Sequence, residues 1–312
     1  MPVLRCSLSL IGPAQSAGFA YILFVWRDLN SNLPFLKWAG GKRWLAPRLG
    51  QIFGTPLTTR LVEPFLGSGS VFFALQPANA LLADSNAELI AAFRAVRKNP
   101  EGVLTDLSAL QIDRSIFEEM RSSRPKADRD RAVRLIYLNR TAFNGLYRVN
   151  QKNEFNVPFG CKPGTKLADR PVITTASVAL QTATLRCQDF RVTLREVRGG
   201  EDVIYVDPPY TVKHDSNGFR RYNNNIFSWK DQEDLAALTS RLAAQGVKIV
   251  ISNAHHHEVR KLYSTTLFHS VAIERSTCMA ADSLQRGSCM EWLLVSKTLI
   301  KHRSTLLRRL RG

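Results

Sequence analysis

The chain has 312 residues, 45% of them hydrophobic and 22% charged, so it can bury a full hydrophobic core as one large domain or one domain with an insert. Its 43 lysine and arginine residues against 26 aspartate and glutamate residues give a net charge of +17, which is typical of proteins that bind a polyanion, with nucleic acid the first choice and an anionic membrane surface the second. Five scattered cysteines without a CxxC pair argue against a disulfide framework or a zinc site and favour a reducing cytoplasm.

Residues 1–32 differ in pattern from the rest of the chain. Their apolar run, Ala17 to Trp26, is too short to cross a bilayer, which takes about 20 residues, and no small-residue cleavage site comes after it. We therefore interpret residues 1–32 as an extension outside the functional core, and we expect no membrane role.

The first pattern typical of a ligand site is the stretch Phe35 to Lys42. Its Gly40-Gly41 pair permits a turn in which backbone amides approach a ligand closely, and Lys42 adds a positive charge for a carboxylate or a phosphate. The GxxxxGK[ST] spacing of a phosphate-binding loop is missing. The stretch therefore predicts a turn beside a ligand without identifying the ligand.

A stronger pattern lies at 61–70, with the sequence LVEPFLGSGS. A short strand runs through Phe65 into a turn with Gly67 and Gly69, and then into a helix from about Val71 to Leu75. This is the order of the first strand–turn–helix unit of a nucleotide-binding fold, in which glycines admit the ligand. The GxGxxG spacing of dinucleotide sites is absent, which disfavours NAD.

Asp84 ends a second predicted strand, Ala80 to Ala83, and lies 21 residues beyond Glu63. An acid near that spacing holds a ribose hydroxyl in such folds. An adenosine pocket without a pyrophosphate site suits S-adenosylmethionine better than NAD. The alternative for Asp84 is a cap on the helix predicted from Asn86 to Arg97, and one carboxylate can serve both purposes.

A long segment then separates Asp84 from the next motif. It contains a predicted basic helix, roughly Arg129 to Phe143, with a broad apolar stripe. Asn144-Gly145 predicts a tight turn, so the residues around it form a hairpin or a loop tip that residues 154–160 close.

The same loop carries side chains that suit nucleic acid. Arg140, Asn144 and Arg148 are of the types that read base edges or bind phosphates, with Leu146 among them. A solvated surface is the alternative, and the net charge favours the nucleic-acid interpretation. Further on, Leu185 to Phe190 predicts a strand that ends in Asp189, which either contacts an adenine amine or caps the next segment of the chain.

The run Val203 to Val206 predicts a buried strand of a parallel sheet, and Asp207-Pro208-Pro209-Tyr210 ends it. The prolines make a rigid turn at the carboxyl edge of the sheet, where open α/β folds bind ligands. The Asp207 carboxylate and the Pro208 carbonyl suit an aromatic amine, and Tyr210 offers a ring for stacking. The DPPY tetrapeptide resembles the catalytic motif of amino-methyltransferases that act on adenine, and an ordinary Asp-Pro turn is the alternative.

The rest of the chain adds four predicted elements: a substrate-ordered lid at Thr211–Asn225, a helix at about 231–244 with Ser228 as its cap, and buried strands at 248–253 and 291–295. The tail from Lys297 to Gly312 either adds DNA affinity or only solubilises the chain end. We expect no metal site at His255-His256-His257, because consecutive side chains point in different directions and no second cluster has matching spacing.

Taken together, the motifs resemble those of the Dam-type family of DNA N6-adenine methyltransferases, in one collinear order across about residues 35–297. The matching segments are KWAGGK, EPFLGSGSVFF, LADSNAEL, YLNRTAFNGLYRVN, EFNVPFG, VIYVDPPY and the late ISN strand. By this resemblance Trp38, Lys42, Asp84 and Asp207 contact the cofactor. Also by this resemblance, Lys37, Arg140, Asn144, Leu146 and Arg148 contact DNA.

The resemblance implies a Rossmann-like, doubly wound, mostly parallel α/β sheet of the class I methyltransferase type. The expected parts are an extension at 1–32, an S-adenosylmethionine-binding catalytic domain at 33–98 and 185–297, an inserted helical and hairpin target-recognition domain at 99–184, and a basic tail at 298–312. The expected partner is duplex DNA.

The implied activity is transfer of a methyl group from S-adenosylmethionine to N6 of a flipped adenine, in GATC or a related short site, without a metal. The chain departs from the family at Cys161-Lys162-Pro163-Gly164, where the family's loop continues with basic and aromatic residues. A monomeric cytoplasmic enzyme is expected, with or without a cognate restriction endonuclease. Methylation of RNA or protein, or an inactive DNA-binding protein, are the alternatives.

Overall fold

The computed structural model describes residues 34–54, 57–150, 154–211, 227–276 and 288–311. The predicted extension at 1–32 and nearly all of the predicted lid lie outside these residues.

A seven-stranded sheet forms the centre of the described chain, with strand order β3-β2-β1-β4-β5-β7-β6. Its strands are β1 (Arg60–Glu63), β2 (Ala80–Asp84), β3 (Ala183–Cys187), β4 (Asp202–Val206), β5 (Lys248–Ala254), β6 (Phe268–Ser276) and β7 (Ser288–Ser296). The first five strands pair in parallel, and β7 runs antiparallel to both of its neighbours, β5 and β6. The doubly wound, mostly parallel sheet predicted from the sequence is therefore confirmed.

Eleven helices are described around the sheet: α1 (Ala46–Phe53), α2 (Ser70–Leu75), α3 (Ala87–Lys98), α4 (Pro100–Ala109), α5 (Arg114–Ser122), α6 (Asp128–Thr141), α7 (Arg170–Leu180), α8 (Phe190–Arg195), α9 (Trp229–Ala244), α10 (His257–Lys261) and α11 (Arg303–Arg311). Two short 3-10 turns, Phe143–Gly145 and Gly199–Glu201, complete the described elements.

The core lies in two layers because successive side chains of a strand point to opposite faces of the sheet. Leu61 and Val203 bury themselves on one face, together with side chains of α1 to α4, α6, α7 and α11. Their neighbours Val62 and Ile204 face the other layer, which α8, α9 and α10 cover. Strands buried on both faces account for the continuous apolar runs in the sequence.

Local signals explain where the helices begin. The Asn86 side chain accepts a hydrogen bond from Leu89 N at 3.1 Å and caps α3. Ser228 and Asp231 form a reciprocal capping box at the start of α9, which confirms the predicted cap.

The helix α11 was not predicted. The basic tail was interpreted as a solubilising end or as added DNA affinity, yet Leu306 is fully buried and Leu310 is 6% exposed. The helix packs on α1, and Arg309 Nη1 donates to the Ile52 carbonyl at 3.4 Å. The apolar positions 306, 307 and 310 lie on one face of the helix, so the tail is a folded part of the core.

Candidate active site

A cavity of about 790 Å³ opens at the carboxyl ends of β1, β2 and β4. Its wall combines the Trp38–Lys42 loop, the turn after β1, the turn after β2 and the Asp207-Pro208-Pro209-Tyr210 turn after β4. In open α/β sheets this edge is where ligands bind, and the volume suits a small cofactor with part of a substrate.

Lys42 and Asp207 form the central ion pair of this cavity. Lys42 Nζ lies 2.8 Å from Asp207 Oδ1, and the lysine side chain is 3% exposed. The same ammonium donates to the Gly40 carbonyl at 2.9 Å and lies 5.0 Å from the centroid of the Tyr210 ring. Burial raises the pKa of Asp207, and the nearby Lys42 opposes that rise. The two motifs, far apart in sequence, therefore meet in one charged cluster.

The glycine turn and Asp84 are tied together. Asp84 Oδ2 accepts a hydrogen bond from Gly67 N at 3.0 Å, and Oδ1 accepts one from Asn86 N at 2.9 Å. Burial raises the pKa of Asp84, and these two backbone hydrogen bonds lower it. Asp84 thus holds two ligand-binding turns at a fixed separation, in addition to lining the cavity.

Gly67 and Gly69 adopt left-handed backbone angles, with φ of 51° and 69°. A Cβ atom on Gly67 would lie 3.1 Å from Cδ1 of Trp38, so this position needs both the conformation and the small size of glycine. Trp38 in turn stacks on Tyr147, with ring centroids 4.9 Å apart. Tyr147 and Val149 bring the predicted nucleic-acid loop to the wall of the cavity.

Asp189 has a local role that the sequence offered as its alternative. Its carboxylate accepts a hydrogen bond from Arg191 N at 2.7 Å and so caps α8, and it also pairs with the Arg191 guanidinium at 3.2 Å. Asp189 still lines the cavity, beside Phe65 and Phe190, whose rings stack at 5.3 Å.

Three of the predicted DNA-contacting residues, Asn144, Leu146 and Arg148, lie on the loop that follows α6, whereas Arg140 lies in α6 and Lys37 in the Phe35–Lys42 stretch. Asn144 and Gly145 have positive φ angles of 54° and 65°, which confirms the predicted Asn-Gly turn. Isolated antiparallel bridges join Ala142 to Phe159 and Val149 to Phe155, so the segment forms the expected hairpin-like loop.

The three basic side chains among the predicted DNA-contacting residues differ in exposure. Arg148 is exposed and donates from Nε to Asn156 Oδ1 at 2.8 Å. Arg140 is only partly exposed and donates from Nη2 to the Phe35 carbonyl at 3.1 Å. Lys37 is exposed, and its pKa is lowered by partial burial and by the positive charges of Arg140, Lys162 and Arg43.

Four functional candidates escaped the sequence reasoning. Asn139 is fully buried and binds the backbone of Lys37 and of Gly145. Glu63 is 2% exposed, and its Oε1 has no hydrogen-bond partner among the described residues. Glu291 and Arg275 pair at 3.0 Å next to Tyr210. A buried polar residue in an otherwise apolar strand is the one signal that could have marked Glu291.

The three consecutive histidines have separate roles. His255 packs against Trp292, His256 accepts from Glu258 N and caps α10, and His257 lies 2.8 Å from Glu258. Within the ranges that the structure describes, no group of three or more His, Cys, Asp and Glu side chains is arranged to hold a metal ion. The described helices also include none with the length and apolar character needed to cross a membrane.

The sequence of the chain is similar to one protein family and to several named proteins. The family model of D12 class N6 adenine-specific DNA methyltransferases matches residues 38–277. The type II methyltransferase M1.LlaDCHI of Lactococcus lactis subsp. cremoris is 34% identical over 277 residues, which cover 84% of this chain and 95% of the relative. The DNA adenine methylases of Haemophilus influenzae (strain ATCC 51907 / DSM 11121 / KW20 / Rd) and Escherichia coli (strain K12) are 34% and 31% identical, over 78% and 80% of this chain and 87% and 90% of their own lengths.

Proposed function

The chain belongs to the family of D12 class N6 adenine-specific DNA methyltransferases, and from that membership we propose that it flips an adenine out of duplex DNA and methylates it with S-adenosylmethionine as the donor. Flipping is required because an amine paired inside a duplex is out of reach of a methyl group held in a pocket. The observation that carries the proposal is the DPPY turn, whose Asp207 meets Lys42 inside the cavity at 2.8 Å.

The residues around the cavity fit S-adenosylmethionine, which supplies an electrophilic methyl group when bound. Glu63 Oε1, which has no hydrogen-bond partner in the part of the chain that the structure describes, and the Asp84 carboxylate give the cavity acceptors for a cationic, hydroxyl-bearing ligand. We assign cofactor binding to eight residues: Trp38, Lys42, Phe65, Gly67, Gly69, Asp84, Asp189 and Asp207. Gly67 and Gly69 keep the turn open, and Trp38 offers an aromatic face.

Catalysis is assigned to Asp207, Pro208, Pro209 and Tyr210. In this proposal the Asp207 carboxylate and the Pro208 carbonyl accept hydrogen bonds from the exocyclic amine, which directs the nitrogen lone pair towards the donor. The Tyr210 ring stacks on the flipped base. The nitrogen would gain the methyl group as the donor's bond between sulfur and that carbon breaks, and it would lose one proton, for which Asp207 is the proposed acceptor.

DNA recognition is assigned to Lys37, Arg140, Asn144, Leu146 and Arg148, within an inserted segment at 99–184 and the adjoining cofactor loop. Support comes from the positive charges of Arg140, Lys162 and Arg43, which add to the effect of partial burial in lowering the Lys37 pKa. Concentrated positive charge of this kind suits DNA phosphates. Partly buried Arg140 holds the loop as well as contributing charge.

The finer biology is also part of the proposal. The recognition site is GATC or a related short site, with the departure at 161–164 as the place where a different preference would arise. In this proposal the protein acts as a monomer in the cytoplasm. A cognate restriction endonuclease is one setting for it, by analogy with the relative named as a type II methyltransferase.

Expression in a methylation-free bacterial host, followed by single-molecule sequencing of its DNA, tests this function. Wild-type protein should place N6-methyladenine within one short motif, and Asp207→Asn should remove the modification while the protein stays folded. Glu201→Gln, at the opposite end of β4 and exposed, is the matched control and should methylate normally.

The alternatives make different predictions in the same experiment. A soluble protein that methylates RNA but leaves host DNA unmodified would replace the DNA assignment with the RNA alternative. A protein that binds S-adenosylmethionine and DNA without modifying either nucleic acid would be an inactive member of the family. Wild-type methylation by Asp207→Asn would refute the assigned catalytic role.

A further inference from the structure

A buried carboxylate stands behind the proposed catalytic turn. Glu291 lies in β7, opposite Ala254 of β5 and Ile273 of β6, and it is 2% exposed. Charged side chains are almost never buried without partners. The partners of Glu291 lie on three different segments of the chain, and each of them lines the cavity.

The first partner is the proposed stacking residue. Tyr210 OH donates to Glu291 Oε2 at 2.9 Å, a hydrogen bond to a charged acceptor. Burial, together with the charges of Asp207 and Glu291, raises the pKa of Tyr210 well above its usual range, so the hydroxyl remains a donor. A ring held at its far end by a strand in the sheet cannot swing out of the cavity without breaking this bond.

The second and third partners are cations. Arg275 Nη1 lies 3.0 Å from Glu291 Oε1, and Lys42 Nζ lies 3.7 Å from Oε2. Lys42 is closer to Asp207, at 2.8 Å, so Arg275 supplies the main compensation for Glu291 and leaves the lysine on Asp207. The buried charge of Glu291 is therefore matched on both carboxylate oxygens.

We propose that Glu291, neutralised by Arg275, is a positioning residue that fixes the Tyr210 ring in the orientation needed to stack on the flipped adenine. The inference rests on the proposed function, because the orientation of the Tyr210 ring matters for catalysis only if that ring stacks on the flipped adenine. Glu291 itself does not line the cavity, so it acts through Tyr210. A ring oriented before the base arrives needs no reorganisation when the base enters.

A double-mutant cycle on kcat tests this inference. Tyr210→Phe keeps the ring and removes the hydroxyl, Glu291→Gln removes the charge with little change in shape, and the third variant combines them. Each single variant should lose about 10- to 100-fold in kcat, as expected for a hydrogen bond to a charged group, and the double variant should lose no more than the worse single. Methyl transfer from radiolabelled S-adenosylmethionine to unmethylated genomic DNA is the assay, since it requires no knowledge of the site.

The controls separate positioning from mere stability. Glu274→Gln makes the same chemical change on the neighbouring strand at an exposed position and should leave kcat unchanged. Tyr210→Phe leaves the Glu291–Arg275 pair intact, so it keeps the test decisive if Glu291→Gln folds poorly. Losses that multiply in the double variant, or Tyr210→Phe at wild-type kcat, would overturn the inference.

Failure of the proposed function has a different signature. If the wild-type protein transfers no methyl group to DNA, the DNA assignment fails and this inference falls with it. If the wild type is active and Glu291→Gln retains its kcat per folded molecule, the enzyme assignment stands and only the positioning role is lost.

Discussion

At the scale of single residues, Glu63 is a buried carboxyl of the site that has no cation paired with it among the described residues. Lys42 pairs with Asp207 and Arg275 pairs with Glu291, whereas Glu63 Oε1 is buried without a hydrogen-bond partner among the described residues. Burial raises the pKa of Glu63 well above its ordinary value of 4.5, and the charge of Asp207 raises it further, against a hydrogen bond from the Phe72 backbone. The carboxyl therefore prefers to hold its proton until a cation arrives.

Glu63→Gln should stabilise the protein when no cofactor is bound. A carboxyl whose folded-state pKa is raised stabilises the fold below the unfolded pKa and loses that contribution as pH rises through the folded pKa, at about 1.4 kcal/mol per pH unit. Glutamine resembles the protonated acid, so the variant should unfold at a higher temperature than the wild type at pH 8. The difference should shrink towards pH 5.

Thermal unfolding across this pH range, without cofactor, measures the effect. Glu118→Gln, at an exposed position on α5, should show no such trend. A stability difference between Glu63→Gln and the wild type that grows as the pH falls would contradict the assignment of an unpaired buried carboxyl.

Sequence reasoning worked at this scale where the chemistry is contiguous. Asp207, Pro208 and Tyr210 lie within four residues. A strand followed by two prolines predicts a turn independently of the rest of the chain. A glutamate in an apolar strand is a local signal for Glu291, but its role depends on its partner Tyr210, 81 residues away, which no local pattern shows. In the sequence, Glu63 serves only as the position from which the spacing to Asp84 is counted. That its Oε1 lacks a hydrogen-bond partner among the described residues is visible only in the packed structure.

At the scale of elements, Asn139 joins three segments. It lies near the end of α6, accepts a hydrogen bond from Lys37 N at 2.8 Å, and donates from Nδ2 to Lys37 O at 2.8 Å and to Gly145 O at 3.0 Å. A Cβ atom on Gly145 would lie 2.5 Å from Cδ of Lys37, so the lysine packs directly on the turn. The Phe35–Lys42 stretch and the Asn144-Gly145 turn are thereby held as one unit.

Asn139→Ala should weaken both stability and DNA affinity. It leaves buried backbone groups of Lys37 and Gly145 without their partner, which costs about 1–3 kcal/mol for each unsatisfied group. Fluorescence anisotropy with a DNA duplex and a thermal melt measure the two effects. Asn79→Ala, an exposed change just before β2, should alter neither; DNA affinity at the wild-type level in Asn139→Ala would argue against the link.

Whether a helix or strand could be predicted depended on how far along the chain the residues that determine it lie from one another. Caps such as Ser228 act within four residues and were predicted, whereas β6 and α11 were not. β6 carries polar residues along much of its length, and it is a strand because β7 pairs with it from Phe268 to Ser276. α11 contains few leucines, and they indicate a buried helix only when the apolar face of α1, against which they pack, is known.

At the scale of the whole molecule, the net charge of +17 is the dominant property. Part of it is concentrated around Lys37, whose pKa is lowered first by partial burial and then by the charges of Arg140, Lys162 and Arg43. DNA binding by such a surface releases counterions, so affinity depends steeply on salt.

DNA affinity should therefore fall as a power of the salt concentration, with a log–log slope near −0.9 for each phosphate contacted. Arg148→Gln should reduce the magnitude of that slope by about one, because it removes one proposed phosphate contact. Arg186→Gln, the same charge change on the edge strand β3, is the control. An unchanged slope in Arg148→Gln, or binding by the wild type that ignores salt, would count against the assigned surface.

The fold class was predictable because the order of motifs determines it. Cofactor turn, acid-terminated strand, inserted segment and DPPY turn can share one sheet edge only if their strands run parallel, and they do. The antiparallel β7 between β5 and β6 could not be read from local patterns, since strand order beyond the motifs depends on long-range pairing.

The position of β7 also determines when the Tyr210–Glu291 hydrogen bond can form during synthesis. The strand that pairs with β5 and supplies Glu291 is made last, 81 residues after Tyr210, which corresponds to roughly 4–16 s of translation at about 5–20 residues per second. Until then, the nascent chain carries its glycine turn and its DPPY turn without the carboxylate that holds Tyr210. A ribosome-bound or truncated chain that ends before β7 therefore lacks the Tyr210–Glu291 hydrogen bond.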